Sequence, residues 1–387
     1  MPTPAATRKA GTRVAKKTQR SVTKAARAAT RTTTKAAKST PRRRKSKSSP
    51  ARPTRSPASA LPELWQPPGG AKNQPDPASL GQGTWHQHRY TGVAGTLAYR
   101  VYIPKGLRRT TRAPLLLALH GCSQTGLEFA AGTRFDDLAD THKFIVVYPE
   151  QSVTHHAQHC WNWFRPGHQQ RAVGEPAILA GIVRRVVQET TRWRIDTSRI
   201  YAAGISAGGG MALVLAATYP ELFAAVGVHS APPFHSATGP ADALAVMQGA
   251  GQTPTPSGPL PPMIVFQGTA DGTVRSANAE RIVGQWLGAW TTAADKGRRP
   301  AVGKGRQTRK NPLTTSSGKG PRPHRVTRWS AARHVVLELW VVEGLGHAWS
   351  GGSVHGSYSD LRGPRASTQM WRFFAKHTAT DTGLTGH

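Results

Sequence analysis

The stretch from residue 199 to residue 220 constrains the fold more than any other. RIYAAGIS (199–206) is a continuous apolar run that ends on Ser206, and AGGGMALVLAATYP (207–220) follows at once with helical character despite its glycines. An apolar strand of this kind is buried on both faces, and a helix directly behind it makes a unit of a parallel sheet. The junction reads Gly204-Ile205-Ser206-Ala207-Gly208, which fits G-x-S-x-G. At a strand-to-helix junction this pattern predicts a sharp turn that projects the serine hydroxyl from the strand end. The glycines let neighbouring backbone come close with no Cβ in the way. The helix behind the serine aims its free N–H groups and positive dipole end at a developing oxyanion. In a chain with 40 glycines the pattern alone would be unspecific, so its position carries the argument.

The rest of the chain from about residue 96 has the same rhythm. LAYRVYI (97–103) alternates like a strand, and LLLALH (115–120) and FIVVYPE (144–150) are buried-strand runs. AAVGVHS (224–230), MIVFQGT (263–269) and HVVLELWVVEG (334–344) are further strands, while 175–190, 276–290 and 367–377 suit helices. Strands alternating with helices predict an α/β protein whose mostly parallel central sheet carries helices on both faces. Together with the serine turn, this is the α/β-hydrolase fold.

Charge divides the chain. It has 52 Lys and Arg against 19 Asp and Glu, yet residues 1–60 hold 18 of the basic residues and no acid. That segment has almost no bulky apolar side chains and is expected to be a disordered Lys/Arg/Ala/Thr-rich tail. Residues 61–90, rich in Pro and Gly, are expected to be a linker or lead-in, and 91–387 the catalytic domain. Residues 291–333 are expected to form a solvated basic loop inserted in that domain. The tail has the composition of an arm for nucleic acid or another polyanion, held by salt-sensitive phosphate contacts. The alternative is a solvated spacer.

No run reaches the roughly 20 apolar residues of a membrane span. The basic start has no following apolar stretch and is not a recognisable secretory signal, which favours a cytoplasmic protein. Its composition also fits an organelle transit segment. With only two cysteines, Cys122 and Cys160, neither a disulfide scaffold nor a zinc-ligand set is expected, and no metal or cofactor is implied. One bridge between them and two reduced thiols are both open readings.

A nucleophilic serine needs a base, and the base an orienting carboxylate; in this fold they follow in the order Ser, acid, His. Asp271 follows the strand MIVFQGT in FQGTADGTV, and His347 follows HVVLELWVVEG in GLGHAWSGG. Ser206, Asp271 and His347 therefore all leave strand ends on one edge of a parallel sheet, where such sheets carry their sites. Asp196 among the acids and His229 and His355 among the histidines are the rivals. The oxyanion would be held by the backbone N–H groups of Ala207 and of Cys122 in the loop His120-Gly121-Cys122-Ser123-Gln124, with Ser123 as second choice. Trp161 and Trp163 of CWNWF (160–164) and Trp349 of GHAWSGG are candidates for an aromatic wall to a substrate pocket, against ordinary core packing.

LHGCSQTG, CWNWF, GISAGGGMA, FQGTADGTV, GLGHAWSGG and the ending GPRASTQMWRFF together resemble the esterase family of poly(3-hydroxybutyrate) depolymerases and their feruloyl and acetylxylan esterase relatives. The resemblance covers roughly residues 85–295 and 325–377. It implies hydrolysis of carboxylic esters, such as hydroxyalkanoate esters, through a Ser-His-Asp triad that falls on Ser206, His347 and Asp271. The two cysteines recur in the family's HGC and CWNW motifs, which implies a Cys122–Cys160 bridge. Secreted members of the family make an extracellular location the alternative to a cytoplasmic one. The tail, the basic loop and the lack of a separate substrate-binding domain after residue 377 depart from the family pattern.

Overall fold

Three of the apolar runs, at 115–120, 144–150 and 199–206, lie side by side inside one sheet, because a strand with apolar residues on both faces is stable only where both are covered. A computed structural model describes residues 75–189, 191–295, 314–331 and 334–379. The expected tail, residues 61–74 of the lead-in and residues 296–313 of the expected loop lie outside the described residues. The strands are β1 (Thr84–Gly92), β2 (Gly95–Ile103), β3 (Arg112–Leu119), β4 (Ile145–Glu150), β5 (Arg194–Ile205), β6 (Ala225–His229), β7 (Met263–Gly268), β8 (Thr314–Gly318), β9 (His324–Ala331) and β10 (His334–Val342). A two-residue pair follows, β11 (Trp349–Ser350) with β12 (Ser359–Asp360). The helices are α1 (Gly126–Thr133), α2 (Phe135–His142), α3 (Gly174–Gln188), α4 (Ala207–Thr218), α5 (Pro240–Met247), α6 (Ala277–Asp295) and α7 (Ala366–Phe374).

The ten strands are ordered β1-β2-β4-β3-β5-β6-β7-β10-β9-β8. From β4 to β10 neighbouring strands are parallel; β1–β2, β2–β4, β10–β9 and β9–β8 are antiparallel. Alternation of side chains across the pleat builds two cores. Leu115, Leu117, Leu119, Val147, Ala202, Val228 and Val265 face a layer that includes Ile182 of α3, Met211 of α4 and Trp286 of α6. Leu116, Ala118, Val146, Ala203, Ile264 and Phe266 face Phe129 of α1, Phe135 of α2 and Met370 of α7. Each Val, Leu, Ile, Phe or Met among them contributes roughly 1.5–3 kcal/mol by leaving water. Helices on both faces of a mostly parallel sheet make this an α/β-hydrolase fold.

Two boundaries differ from the sequence reading. The strand β1 begins at Thr84, inside the expected lead-in. Its polar alternation, TWHQHRYTG, suits an edge strand, and it pairs with β2 from Thr84↔Ile103 to Gly92↔Gly95. The expected basic loop is corrected in its described part. Residues 314–331 carry β8 and β9, and β9 covers the edge of β10. Only Val326, Trp329 and Ala331 of β9 are buried, so its Arg, Thr and Ser residues mask the strand in the sequence.

Asp136, in the first turn of α2, gives the fold a pH dependence. It is 1% exposed and accepts a hydrogen bond from the Gly81 N–H. Burial outweighs that bond and raises its carboxyl to about 7. The unfolded carboxyl ionises near 3.9, so between these values the folded state holds a proton that the unfolded state has lost. Stability is therefore full below about pH 4 and is lost as the pH rises towards 7, by up to about 4 kcal/mol. Replacement by Asn, which keeps an acceptor for Gly81, should flatten this slope. Urea midpoints at pH 5 and pH 8 test it: the gap between Asp136→Asn and the wild type should widen in favour of Asn at pH 8. Equal pH slopes in the two proteins would contradict the account.

Candidate active site

Ser206 terminates β5 and stands before the first residue of α4 with φ 55° and ψ −122°. A non-glycine residue is held there only by its surroundings. Its N–H donates to the His229 carbonyl at 2.9 Å and its carbonyl accepts from the Gly210 N–H at 2.9 Å. Close packing of the turn demands glycine at two flanking positions. A Cβ on Gly204 would lie 2.4 Å from the Gly208 carbonyl carbon, and one on Gly208 would lie 2.2 Å from the Leu119 oxygen and 2.4 Å from the His120 oxygen. Gly208 thus brings the serine turn against the end of β3, where the His120–Gln124 loop begins.

Asp271 leaves the end of β7 and is 4% exposed. Its Oδ1 accepts from the backbone N–H groups of Thr273 at 3.0 Å and Val274 at 2.8 Å. Its Oδ2 accepts from Gln267 Nε2 at 3.3 Å and lies 2.9 Å from His347 Nδ1. Burial pushes this carboxyl up, but hydrogen bonds and charge from His347, with the Val274 N–H and the Ser230 hydroxyl, bring it below its ordinary value. An ionised carboxylate only accepts, so Nδ1 of His347 carries the proton and Nε2 is the bare nitrogen. His347 and Ser206 line one narrow cleft with Gly121, Cys122, Gln124, Ile205 and Tyr358.

The loop after β3 closes the other side of this cleft. The Ser123 N–H is taken by the Gln158 carbonyl at 2.7 Å, which removes Ser123 as an oxyanion donor. The N–H groups of Cys122 and Ala207 have no acceptor among the described residues. Cys122 is joined to Cys160 by a disulfide, 38 residues apart. Buried polar groups hold the same loop. His120 Nε2 accepts from the Gln151 N–H at 3.1 Å, so its Nδ1 carries the proton and donates to the Gly121 carbonyl at 2.8 Å. Gln151 Nε2 in turn donates to Glu175 at 2.6 Å, and Glu175 also accepts from the Asn162 N–H at 2.7 Å. Burial raises the Glu175 carboxyl despite these donors. Gln124 accepts from the Gly121 N–H at 2.8 Å and donates to the Ser357 carbonyl at 2.9 Å, which ties the loop to the segment carrying Tyr358.

Cross-linking a loop of this length is worth about 4 kcal/mol in the chain-entropy account. Cys160→Ser should lower the urea-unfolding free energy by a few kcal/mol and slow ester turnover, since Cys122 carries one of the two unpartnered N–H groups. Unchanged stability and turnover in the variant would remove the bridge from this account.

The three tryptophans do not form a wall to the cleft. Trp161 is fully buried and donates to the His120 carbonyl at 3.0 Å. Trp349 is 1% exposed, donates to Ser367 Oγ at 3.0 Å and packs on Phe129 and Phe135. Trp163 is 5% exposed and packs behind α4, where a Cβ on Gly210 would lie 3.1 Å from its ring. All three are core, and Tyr358 is the aromatic residue lining the cleft. The rivals are elsewhere: Asp196 pairs with Arg199 at 2.6 Å near the opposite end of β5, and His355 is exposed on a loop. His229 is buried behind the site. Sequence reasoning missed Tyr358, Gln151, Glu175 and Ser230, none of which stands in a motif of its own. No group of three or more His, Cys, Asp or Glu residues suited to a metal occurs among the described residues. No helix among them is long and apolar enough to cross a membrane.

A strained serine between strand and helix, a part-buried Asp–His pair and unpartnered N–H groups on one sheet edge suit a protein of the α/β-hydrolase class. A family described as esterase PHB depolymerase matches residues 97–310, and the chain belongs to that family. It is 32% identical over 266 residues to a poly(3-hydroxyalkanoate) depolymerase C of Paucimonas lemoignei, covering 65% of this chain and 58% of that protein. It is 32% identical over 204 residues to feruloyl esterase B of Thermothelomyces thermophilus, covering 48% of this chain and 68% of that protein. The chain thus spans little more than half the length of the depolymerase that it matches. Among solved structures, an acetyl xylan esterase from Aspergillus awamori aligns with a TM-score of 0.54 at 20% identity, over 76% of this chain and 99% of that one. That likeness speaks for the fold.

Proposed function

We propose that the protein is a serine carboxylic-ester hydrolase that works through Ser206, His347 and Asp271. The observation that carries this reading is the part-buried 2.9 Å hydrogen bond from His347 Nδ1 to Asp271, with His347 and Ser206 on one cleft. In the reaction, His347 Nε2 takes the Ser206 proton as Oγ attacks the ester carbonyl. Asp271 orients the ring and stabilises its charged form. The N–H groups of Cys122 and Ala207 hold the oxyanion, where such donors are worth about 3–4 kcal/mol each. His347 then returns the proton to the leaving alcohol, and water, activated by the same imidazole, releases the acid. No step calls for a metal or cofactor.

The substrate class proposed is the ester of a 3-hydroxyalkanoic acid, in line with the poly(3-hydroxyalkanoate) depolymerase among its relatives. Feruloyl and acetylxylan-type esters are the alternative that the other relatives favour. A panel of 3-hydroxybutyrate oligomers, feruloyl esters and acetylated xylan, compared by kcat/KM with the full chain, tests the proposal. The highest value is expected on the oligomers. Preference for an aromatic or sugar ester would move the substrate class, and turnover of none, including short-chain p-nitrophenyl esters, would overturn the reading.

A further inference from the structure

His120 follows β3 directly, is fully buried and has no place in the steps above. Both of its ring nitrogens have a partner of fixed character. Nε2 lies 3.1 Å from the Gln151 N–H, and a backbone N–H only donates, so Nε2 is bare. Burial holds the ring below its ordinary pKa; Glu150 and the Gly121 carbonyl favour its charged form, and His159 opposes it. A neutral ring with Nε2 bare carries its proton on Nδ1, which lies 2.8 Å from the Gly121 carbonyl oxygen. Trp161 packs beside the imidazole at 5.4 Å between centroids and donates to the His120 carbonyl at 3.0 Å, so the ring is fixed in place.

The Gly121 carbonyl and the Cys122 N–H belong to one peptide unit. That unit is planar, and in its trans form the C=O and the N–H point in opposite directions. Fixing the carbonyl therefore fixes the N–H. A carbonyl turned back to the buried His120 ring sends the Cys122 N–H the other way, to the side on which Gly121 and Cys122 line the cleft with Ser206. The Gln124 N–H makes a second, longer bond to the same carbonyl at 3.3 Å. The Gly121 N–H, in the preceding peptide unit, is held separately by Gln124 Oε1 at 2.8 Å.

We propose that His120 is a positioning residue for the oxyanion hole: the Gln151 N–H fixes its tautomer, Nδ1 donates to the Gly121 carbonyl, and the peptide plane thereby aims the Cys122 N–H at the oxyanion. The proposal rests on the reading of Ser206 as the nucleophile and of the Cys122 N–H as an oxyanion donor. Its two bonds can be separated by substitution. Asparagine at 120 sets its amide nitrogen in the place of Nδ1 and keeps a donor for Gly121. Glutamine sets its amide oxygen in the place of Nε2, keeps an acceptor for Gln151 and leaves the Gly121 carbonyl without its donor.

The first test is turnover of a short-chain p-nitrophenyl ester by the full chain. Removing an oxyanion donor costs about 100–1,000-fold in kcat, and His120→Gln, which misdirects one, should lose about 100-fold with KM within about twofold. His120→Asn should keep most of the rate. A trifluoromethyl ketone, which adds to Ser206 as an oxyanion, should bind more weakly to His120→Gln by the same factor as kcat. A role confined to holding the end of β4 through Gln151 predicts the reverse order, with His120→Asn the poorer enzyme. That order, equal losses in the two variants, or a loss confined to KM overturns the proposal while leaving the ester reading intact.

Two further measurements need no turnover. With 15N-cysteine and 13C-carbonyl glycine, the Cys122 amide alone is coupled to carbon, because Gly121 precedes it and His159 precedes Cys160. Its signal should move in His120→Gln and stay near the wild-type position in His120→Asn. In protein labelled with 15N-histidine, the signals that vanish in either variant belong to His120 and should show a protonated Nδ1 and a bare Nε2 at pH 7. Either variant assigns them, so the tautomer is read even where the other does not fold. A Cys122 amide unmoved in His120→Gln, or a protonated Nε2 on His120, overturns the proposal whether or not an ester is turned over.

Discussion

Ser206→Ala is expected to lower kcat/KM on a short-chain ester by at least about ten-thousand-fold while leaving the protein folded. The loss follows from removal of the attacking atom: no acyl-enzyme can form, and only binding and the oxyanion donors remain. In barrier terms this is about 5.5 kcal/mol or more. Retention of the fold has its own reason. Alanine keeps the Cβ, so the cost of φ 55° at position 206 is unchanged. The bonds that hold the turn are made by the backbone of Ser206 to His229 and Gly210, and they survive the substitution. Thermal unfolding of the variant should match the wild type within a few degrees. A variant that loses activity together with its fold would not separate chemistry from structure, and one that keeps more than a trace of activity would remove Ser206 from the mechanism.

Asp271→Asn is expected to cost about ten-thousand-fold in kcat, the scale found when a triad carboxylate becomes an amide and the imidazole takes the wrong tautomer. The local bonds decide which way the amide points. Oδ1 accepts two backbone N–H groups, from Thr273 and Val274, so the amide oxygen must take that place. The NH2 group then stands where Oδ2 was, facing His347 Nδ1 at 2.9 Å and Gln267 Nε2 at 3.3 Å. The amide oxygen stays 3.1 Å from Nδ1, but the nearer NH2 donor favours the His347 tautomer with its proton on Nε2, and in that tautomer Nε2 can no longer accept from Ser206. The loss should therefore fall on kcat and recover in part at high pH, where hydroxide can replace the base. A loss of tenfold or less, or one confined to KM, would contradict this arrangement.

The central parts of the fold and site were legible because the physics that places them is local. Leu115–Leu119, Ile145–Tyr148 and Ile200–Ile205 are apolar on both faces, which only central strands of a covered sheet allow. Ser206, Asp271 and His347 each stand just beyond such a run, in glycine-containing turns, so chain order and strand ends sufficed to assemble a candidate triad. What escaped was set by neighbours distant in sequence. At the sheet edge β9 buries Val326, Trp329 and Ala331 among arginine, threonine and serine, and it reads as loop until its pairing with β10 is seen. Trp161 and Trp349 stand beside the site in sequence, but a ring's direction depends on partners such as the His120 carbonyl and Ser367, which no spacing encodes. His229 looked like a rival base because a histidine at a strand end has the same signature whether its ring nitrogens face a cleft or a backbone N–H. The loop struts Gln151 and Glu175 are ordinary polar residues until burial makes their hydrogen bonds obligatory.

The account stands on one covalent event at Ser206, and that event can be read directly. The full chain is treated with a fluorophosphonate in about twofold excess while ester turnover is followed, and the modified peptide is mapped by mass spectrometry. The account predicts complete loss of turnover with one phosphonyl group per chain, located on Ser206, and no labelling in Ser206→Ala. Loss of turnover with the label on another residue, or full labelling with turnover intact, would contradict it.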